Sequence, residues 1–355
     1  MDFLALLRKE AITVRRNAGL FVVLLILIPG MLTGVTGVYE RTIPEDVPVG
    51  VVAAEEETTE GELAIARTGV RFFATPVDYD SRAGATEALA REEVYLVVEV
   101  PPDLLTENAS ANVTVVSDRT IVPFEDPANV SADIMDNRLD DELPANVSVE
   151  HDRLGEEREL SEYLLTAGLM AFIFVYGLVF VPYQLRGERL VLDRLQTTSR
   201  LETVVASKLV FYGALATLPV LVVGTVAAMM GFDVAAVRPF TVGVVILTFL
   251  MLAATGLAIL FALMLDRSAV FVNVGFVFGL IALSSLVYPV GFFSTTRKAI
   301  SRALPTHYAT VTTRSAMLRD GPATLYADYV LVLALSTVVA LIALQVTLIQ
   351  YRRRR

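Results

Sequence analysis

Residues 163–185 read YLLTAGLMAFIFVYGLVFVPYQL, a run with no Asp, Glu, Lys, Arg or His. As a helix it is about 34 Å long, enough to cross the ~30 Å hydrocarbon core of a bilayer. Five further runs of the same kind lie at 18–38, 209–231, 240–265, 269–290 and 329–350, and none of them carries an ionisable residue. A chain of 355 residues that is 54% hydrophobic, with a mean hydropathy of +0.59, is too apolar for a set of soluble domains. The fold class read from this pattern is an α-helical polytopic membrane protein with six transmembrane helices.

To the left of the quoted run lies the polar segment 39–162. It holds 30 Asp/Glu against 9 Arg, a net of −21, although the whole chain is only −10. Within it 47–53, 70–77, 94–100 and 111–117 read as strands, and 59–68 and 82–92 as helices. Residues 118–160 read as helix or loop. That alternation predicts an inserted extracytoplasmic α/β domain. Lysine is scarce, with Lys9, Lys208 and Lys298 the whole complement. An acidic surface with few lysines suggests an outer domain adapted to high salt.

Cations near the membrane mark the cytoplasmic side. Arg8, Lys9, Arg15 and Arg16 precede the first run; Arg186, Arg189, Arg194, Arg200 and Lys208 follow the second; Arg267 joins the fourth and fifth; Arg352 to Arg355 end the chain. Both termini are then cytoplasmic and 39–162 is outside, in a multi-pass protein of the cell membrane. Four Asn-x-Ser/Thr sequons, at Asn108, Asn112, Asn129 and Asn146, all fall in the outer segment and are candidate glycosylation sites. One stretch breaks the pattern: 292–327 is outside by helix count yet carries Arg297, Lys298, Arg302, Arg314 and Arg319. The first run also has the general form of a signal peptide, but its length exceeds a usual h-region and no clean small-x-small site follows.

Enzyme constellations are missing from the sequence: no phosphate loop, no Gly-x-Ser-x-Gly, no His-Glu-x-x-His, and no cysteine at all. His151 and His307 stand alone and read as ordinary surface residues, so no metal site is expected. Because the membrane runs lack the ionisable groups of ion-coupled transport, any transport energy must come from a partner. The segment 187–203 places Val191, Leu192 and Leu195 on one face of a short amphipathic helix, followed by Ser199-x-x-Glu202 as a helix start. That is a docking element for a cytoplasmic protein, or an interfacial helix with no partner.

Taken together these residues resemble the permeases of ABC-2-type exporters over nearly the whole chain. Members have six spans and, in one branch, an outer α/β domain with a strand ending in Pro-Pro-Asp; here 49–53, 85–92 and 94–100 with Pro101-Pro102-Asp103 match that order. Glu188, Leu192, Leu195, Thr197, Ser199, Arg200, Glu202 and Lys208 resemble the family's coupling helix (187–203), with Thr197-Thr198 where a proline is common. Tyr288-Pro289, then Leu304-Pro305-Thr306-His307-Tyr308-Ala309 and Arg314, resemble its outer re-entrant hairpin (288–320), whose arginines would face water or head groups.

The resemblance implies three parts: 1–38 as N-terminus and first span, 39–162 as the outer domain, and 163–355 as five spans. It implies a homodimer or heterodimer of permeases in membrane lipid, served by ABC ATP-binding subunits that hold the ATP and Mg. This chain itself is expected to need no cofactor, to catalyse nothing and to bind no nucleic acid. A second reading is a membrane-anchored receptor or adhesion protein with a ligand-binding outer domain, which accounts poorly for five further spans.

Overall fold

The computed structural model describes residues 46–107, 109–142, 144–189, 192, 200–319 and 322–354. The run at 18–38 therefore lies outside the described residues, as do Asn108 and Leu195.

The polar segment after the first run folds, over its described residues, as a five-stranded sheet between helices. Its strands are β1 (Val47–Ala53), β2 (Ala74–Asp78), β3 (Leu96–Val100), β4 (Ser110–Asp118) and β5 (Asn146–Leu154), in the order β2-β1-β3-β4-β5. Only the β3–β4 pairing is antiparallel. Helices α1 (Glu60–Arg71) and α3 (Glu125–Glu142) share one apolar core with a face of the sheet; α2 (Arg82–Ala90) packs on the other face through Ala85, Ala88 and Leu89. β1 is buried up to its last residue, Ala53, and feeds valines to both cores, as expected of an interior strand.

Thr59 starts α1 with a capping box. Its hydroxyl accepts from Glu62 N, and its own N–H donates to Glu62 Oε2 at 2.7 Å. The other carboxylate oxygen of the buried Glu62 accepts from Leu104 N at 3.0 Å. Burial opposes ionisation of Glu62, but the hydrogen bonds from Thr59, Leu104 and Asp103 outweigh it and hold its pKa below the ordinary carboxylate value. The Pro101-Pro102-Asp103 element thus has a job in the fold: Asp103 turns left-handed (φ 66°) and presents Leu104 to α1.

Among the described residues four helices are long and apolar enough to cross a membrane: α4 (Leu160–Gly187), α5 (Leu201–Met230), α6 (Pro239–Ala262) and Ala323–Arg354, whose regular part from Ala327 is α10. A fifth apolar helix, α7 (Arg267–Leu283), has 17 residues. The expected span at 269–290 ends early because Ser285 turns left-handed (φ 50°). Two short helices, α8 (Thr295–Ala303) and α9 (Pro305–Leu318), complete the set.

α6 is the central helix, packed against α4, α5, α7, α9 and α10. A π-helical turn at Tyr176–Phe180 and Pro182 break the regular ladder of α4 where it crosses α6. The crossing is close: a Cβ added to Gly256 would sit 2.6 Å from Leu178 O, and one on Gly177 would sit 3.2 Å from Phe249 O. Asn273 of α7, fully buried, donates to Gly256 O at 3.1 Å and ties the third helix to this point.

Candidate functional site

The two halves of the molecule meet at the C-terminus of α2. Glu93 N donates to Ala88 O (2.9 Å) and Glu92 N to Leu89 O (3.1 Å), the crossed bonds that close a helix through a left-handed residue. That residue is usually Gly. Here it is Glu92, with φ 56°, a conformation that costs a side-chain-bearing residue about 1–2 kcal/mol.

What the glutamate gains is Arg314, on α9. Arg314 Nη1 donates to both Glu92 oxygens, at 2.8 and 3.0 Å, with the side chains 3% and 2% exposed. Nη2 donates to Ser285 O and to Leu286 O (3.1 Å), and the guanidinium lies 4.5 Å from the centre of the Tyr163 ring at the start of α4. Around this pair the remaining carbonyls of the α2 end are capped from the membrane side. Ala90 O accepts from Arg319 and from Tyr326 OH (3.0 Å), Arg91 O from Tyr329 OH (3.1 Å), and Glu93 O from Arg302 (3.2 Å).

A helix C-terminus carries about half a negative charge and unpaired carbonyls. A socket of arginines and tyrosine hydroxyls suits it. Arg319 adds an ion pair to Asp118 and a hydrogen bond to Thr120 Oγ1 (2.7 Å). Lys298 Nζ donates to Asp46 O at 2.6 Å. Gly291 lies against the Tyr95 ring, where a Cβ would come within 2.8 Å of Cε2.

This geometry accounts for the anomalous basic stretch and corrects two expectations. The hairpin arginines were expected to face water or head groups. Arg314 instead is buried against the sheet domain and Arg319 half-buried there; Lys298 and Arg302 reach it as well, and Arg297 donates to Ala282 O and lies over the Phe293 ring at 3.8 Å. Glu92 and Asp118 of the acidic domain pair with Arg314 and Arg319, so these two cations are offset locally. His307 is likewise buried, hydrogen-bonded through Nδ1 to Ser285 Oγ at 3.1 Å, and not a surface residue.

The other hairpin residues are structural neighbours of the socket. The Tyr288 ring meets Phe292 edge-on at 5.5 Å, Pro289 opens the turn Val290–Phe292, and Pro305 is the first residue of α9. Tyr308 OH donates to Arg302 O at 2.7 Å, and its ring meets Tyr329 at 4.9 Å. Glu92, Glu93, Tyr163, Tyr326 and Tyr329 were not singled out in the sequence. The one available signal was the excess of cations in 292–327 facing a domain of opposite charge.

The sequon asparagines lie elsewhere. Asn112, exposed on β4, donates to Glu150 at 2.8 Å; Asn129 accepts from Arg153 at 3.1 Å; Asn146 is exposed at the start of β5. Among the described residues no cluster of His, Cys, Asp and Glu has metal-holding geometry.

At the opposite end of the bundle, Glu188 after α4 pairs with Lys208 of α5 at 2.7 Å. Glu202, in the first turn of α5, pairs with Arg352 near the end of α10. Leu192 is buried at 2% exposure, while Arg189 and Arg200 are exposed. Thr197 and Ser199 fall outside the described residues.

A family model described as ABC-2 family transporter protein matches residues 19–344. The chain belongs to that family. It is a permease component of an ABC transporter, the first of the two classes the sequence admitted, and ABC-2 permeases generally work with an ABC ATP-binding subunit. No curated protein and no solved structure matches the chain.

Proposed function

We propose that this ABC-2 permease is the membrane subunit of an ATP-driven exporter, with six spans, both termini cytoplasmic and 39–162 outside. Two permeases, with a second copy or a related chain as partner, work with separate ATP-binding subunits that bind ATP and Mg. Each subunit docks on 187–203. The observation that carries this reading is the pair of clamps at the end away from the sheet domain: Glu188–Lys208 links α4 to α5, and Glu202–Arg352 links α5 to α10. A displacement of 187–203 therefore pulls on three long helices at once. The cations of that end, Arg186, Arg189, Arg200, Lys208, Arg267 and Arg352, support its cytoplasmic side.

The test is co-purification with the ATP-binding subunit, comparing the native chain with Arg189→Glu/Arg200→Glu. Both arginines are exposed, whereas Leu192 is too deeply buried to be altered without disturbing the fold. Association is expected to fall at least ten-fold with the thermal transition of the permease unchanged. Undiminished association would remove 187–203 as the docking site.

A further inference from the structure

We propose that Glu92 is a positioning residue for transport: with the C-terminus of α2 it forms a releasable plug that holds the hairpin α8–α9 closed on the outer end of the bundle. Three observations carry this. The first is the strain. A left-handed helix end is the place for Gly, and a residue kept there against that preference marks a position where the side chain matters more than the turn.

The second is the asymmetry of the partners. Arg314 is held from the membrane side by two carbonyls and the Tyr163 ring, and, among the described residues, its one ion-pair partner in the sheet domain is Glu92. When α2 lifts, Arg314 keeps those membrane-side partners and the hairpin keeps a folded form; Glu92 returns to water. Opening thus trades the ion pair for hydration of Glu92 and of Arg314 Nη1 while Nη2 keeps its carbonyls, two discrete arrangements of one seam, as a switch requires.

The third is position. Arg314 lies on α9, which packs between α4, α6 and α10, so the plug bears on α4 and α10, whose opposite ends carry the clamps near 187–203. Release of the plug would free the outer ends of those helices when their inner ends are displaced.

The gate rests on the permease reading, but the following measurement reads the plug alone. Hydrogen exchange is followed on the full chain in lipid nanodiscs for the native protein, Glu92→Gly and Glu92→Gln. Glycine suits the left-handed turn, so its β1 and β3 amides are expected to stay as protected as in the native chain, while amides of α9 exchange at least ten-fold faster. Glu92→Gln is expected to show the same loosening of α9 to a smaller degree. Unchanged α9 protection in Glu92→Gly overturns the proposal, and so does equal loss of protection in α9 and the sheet, which would make Glu92 a plain core residue. A second readout separates the gate from a merely structural contact: with the ATP-binding subunit bound, Glu92→Gly should raise ATP turnover at least three-fold without altering co-purification. Turnover unchanged alongside a loosened α9 would overturn the gate and leave the subunit docking intact.

Discussion

The two ends of the helical bundle are both tied by ion pairs, yet by pairs of different kinds. At the end under the sheet domain Arg314 and Glu92 are 3% and 2% exposed, and carbonyls and tyrosine hydroxyls complete their surroundings. At the inner end Lys208 and Glu188 are 16% and 39% exposed, and Arg352 and Glu202 are 58% and 25%. A buried pair fixes geometry and is ruinous to break by halves; an exposed pair contributes little and yields to salt. The end under the sheet domain is therefore built to be either closed or fully released, and the opposite end to shift by degrees.

The largest effect that separates the ends is expected at Arg314. Arg314→Met leaves Glu92 buried without a counter-charge and strips donors from two carbonyls, which should cost about 3–5 kcal/mol. Glu92→Gly also leaves a buried charge unpaired, but should cost less, since Arg314 Nη2 keeps its two carbonyls and the turn loses its strain. Thermal unfolding of the full chain reads both. Equal losses from the two variants would mean that the seam is an ordinary buried pair with no preferred side.

Next in size is Gly256→Ala. The added Cβ would meet Leu178 O at 2.6 Å and the Pro182 ring at 2.8 Å, so α4 and α6 must separate at their crossing. Such overpacking costs about 1–3 kcal/mol. Because the crossing lies between the two ends, its disturbance should loosen amides of α4 on both sides of Pro182. Loosening on one side alone would show that the ends are not joined through this point.

How much of this was legible in the sequence differs from element to element. β1 was bounded as observed because a central strand is apolar on both faces and ends sharply. β2 was drawn too long: Val70 belongs to the buried face of α1, and Phe72 is 84% exposed, so the apolar letters there serve a helix. β5 went unseen. It is an edge strand whose inward side offers Val147 and Val149 before polar residues take over, and it is held by parallel pairing to β4 along its whole length. Backbone pairing leaves no hydrophobic pattern. At the site, the cations of 292–327 were visible as an anomaly, but their partners were not. Arg314 and Glu92 stand 222 positions apart, and nothing in a single sequence marks which of 30 outer carboxylates meets which arginine.

The sheet domain itself should respond to acid through two groups. Glu62 ionises below the ordinary carboxylate value, so its stabilising effect is present at neutral pH and is lost as pH falls through its folded pKa. His151 bonds to Ser117 Oγ at 2.8 Å; burial, then Arg153 and Arg119, hold its pKa below the ordinary imidazole value against the pull of Asp133 and Asp152. The unfolded chain therefore takes up that proton first, and stability declines as pH drops below about 6.5. Glu62→Ala should lower stability at pH 7 by about 1–2 kcal/mol and flatten the steep part of the acid profile. His151→Gln should remove only the shallow part nearer neutrality. An acid profile unchanged in both variants would move the acid response from the sheet domain to the outer seam.

The smallest expected effect is also the one that tests the contrast most directly. Lys208→Ala or Arg352→Ala should change stability by no more than about 0.5 kcal/mol, as for other exposed pairs. Raising the salt from 0.15 to 1 M shortens the screening length from about 8 to about 3 Å and should mimic these substitutions at the inner end. Exchange in the first turns of α5 should then rise, with the Glu92–Arg314 seam unaffected because water and ions do not reach it. If high salt loosened α9 as much as α5, the outer pair would have to be solvated in solution, and a seam open to ions could not act as a plug. If instead α5 alone responded, the inner clamps would be the compliant end of the bundle, where a small push from a bound subunit meets the least resistance.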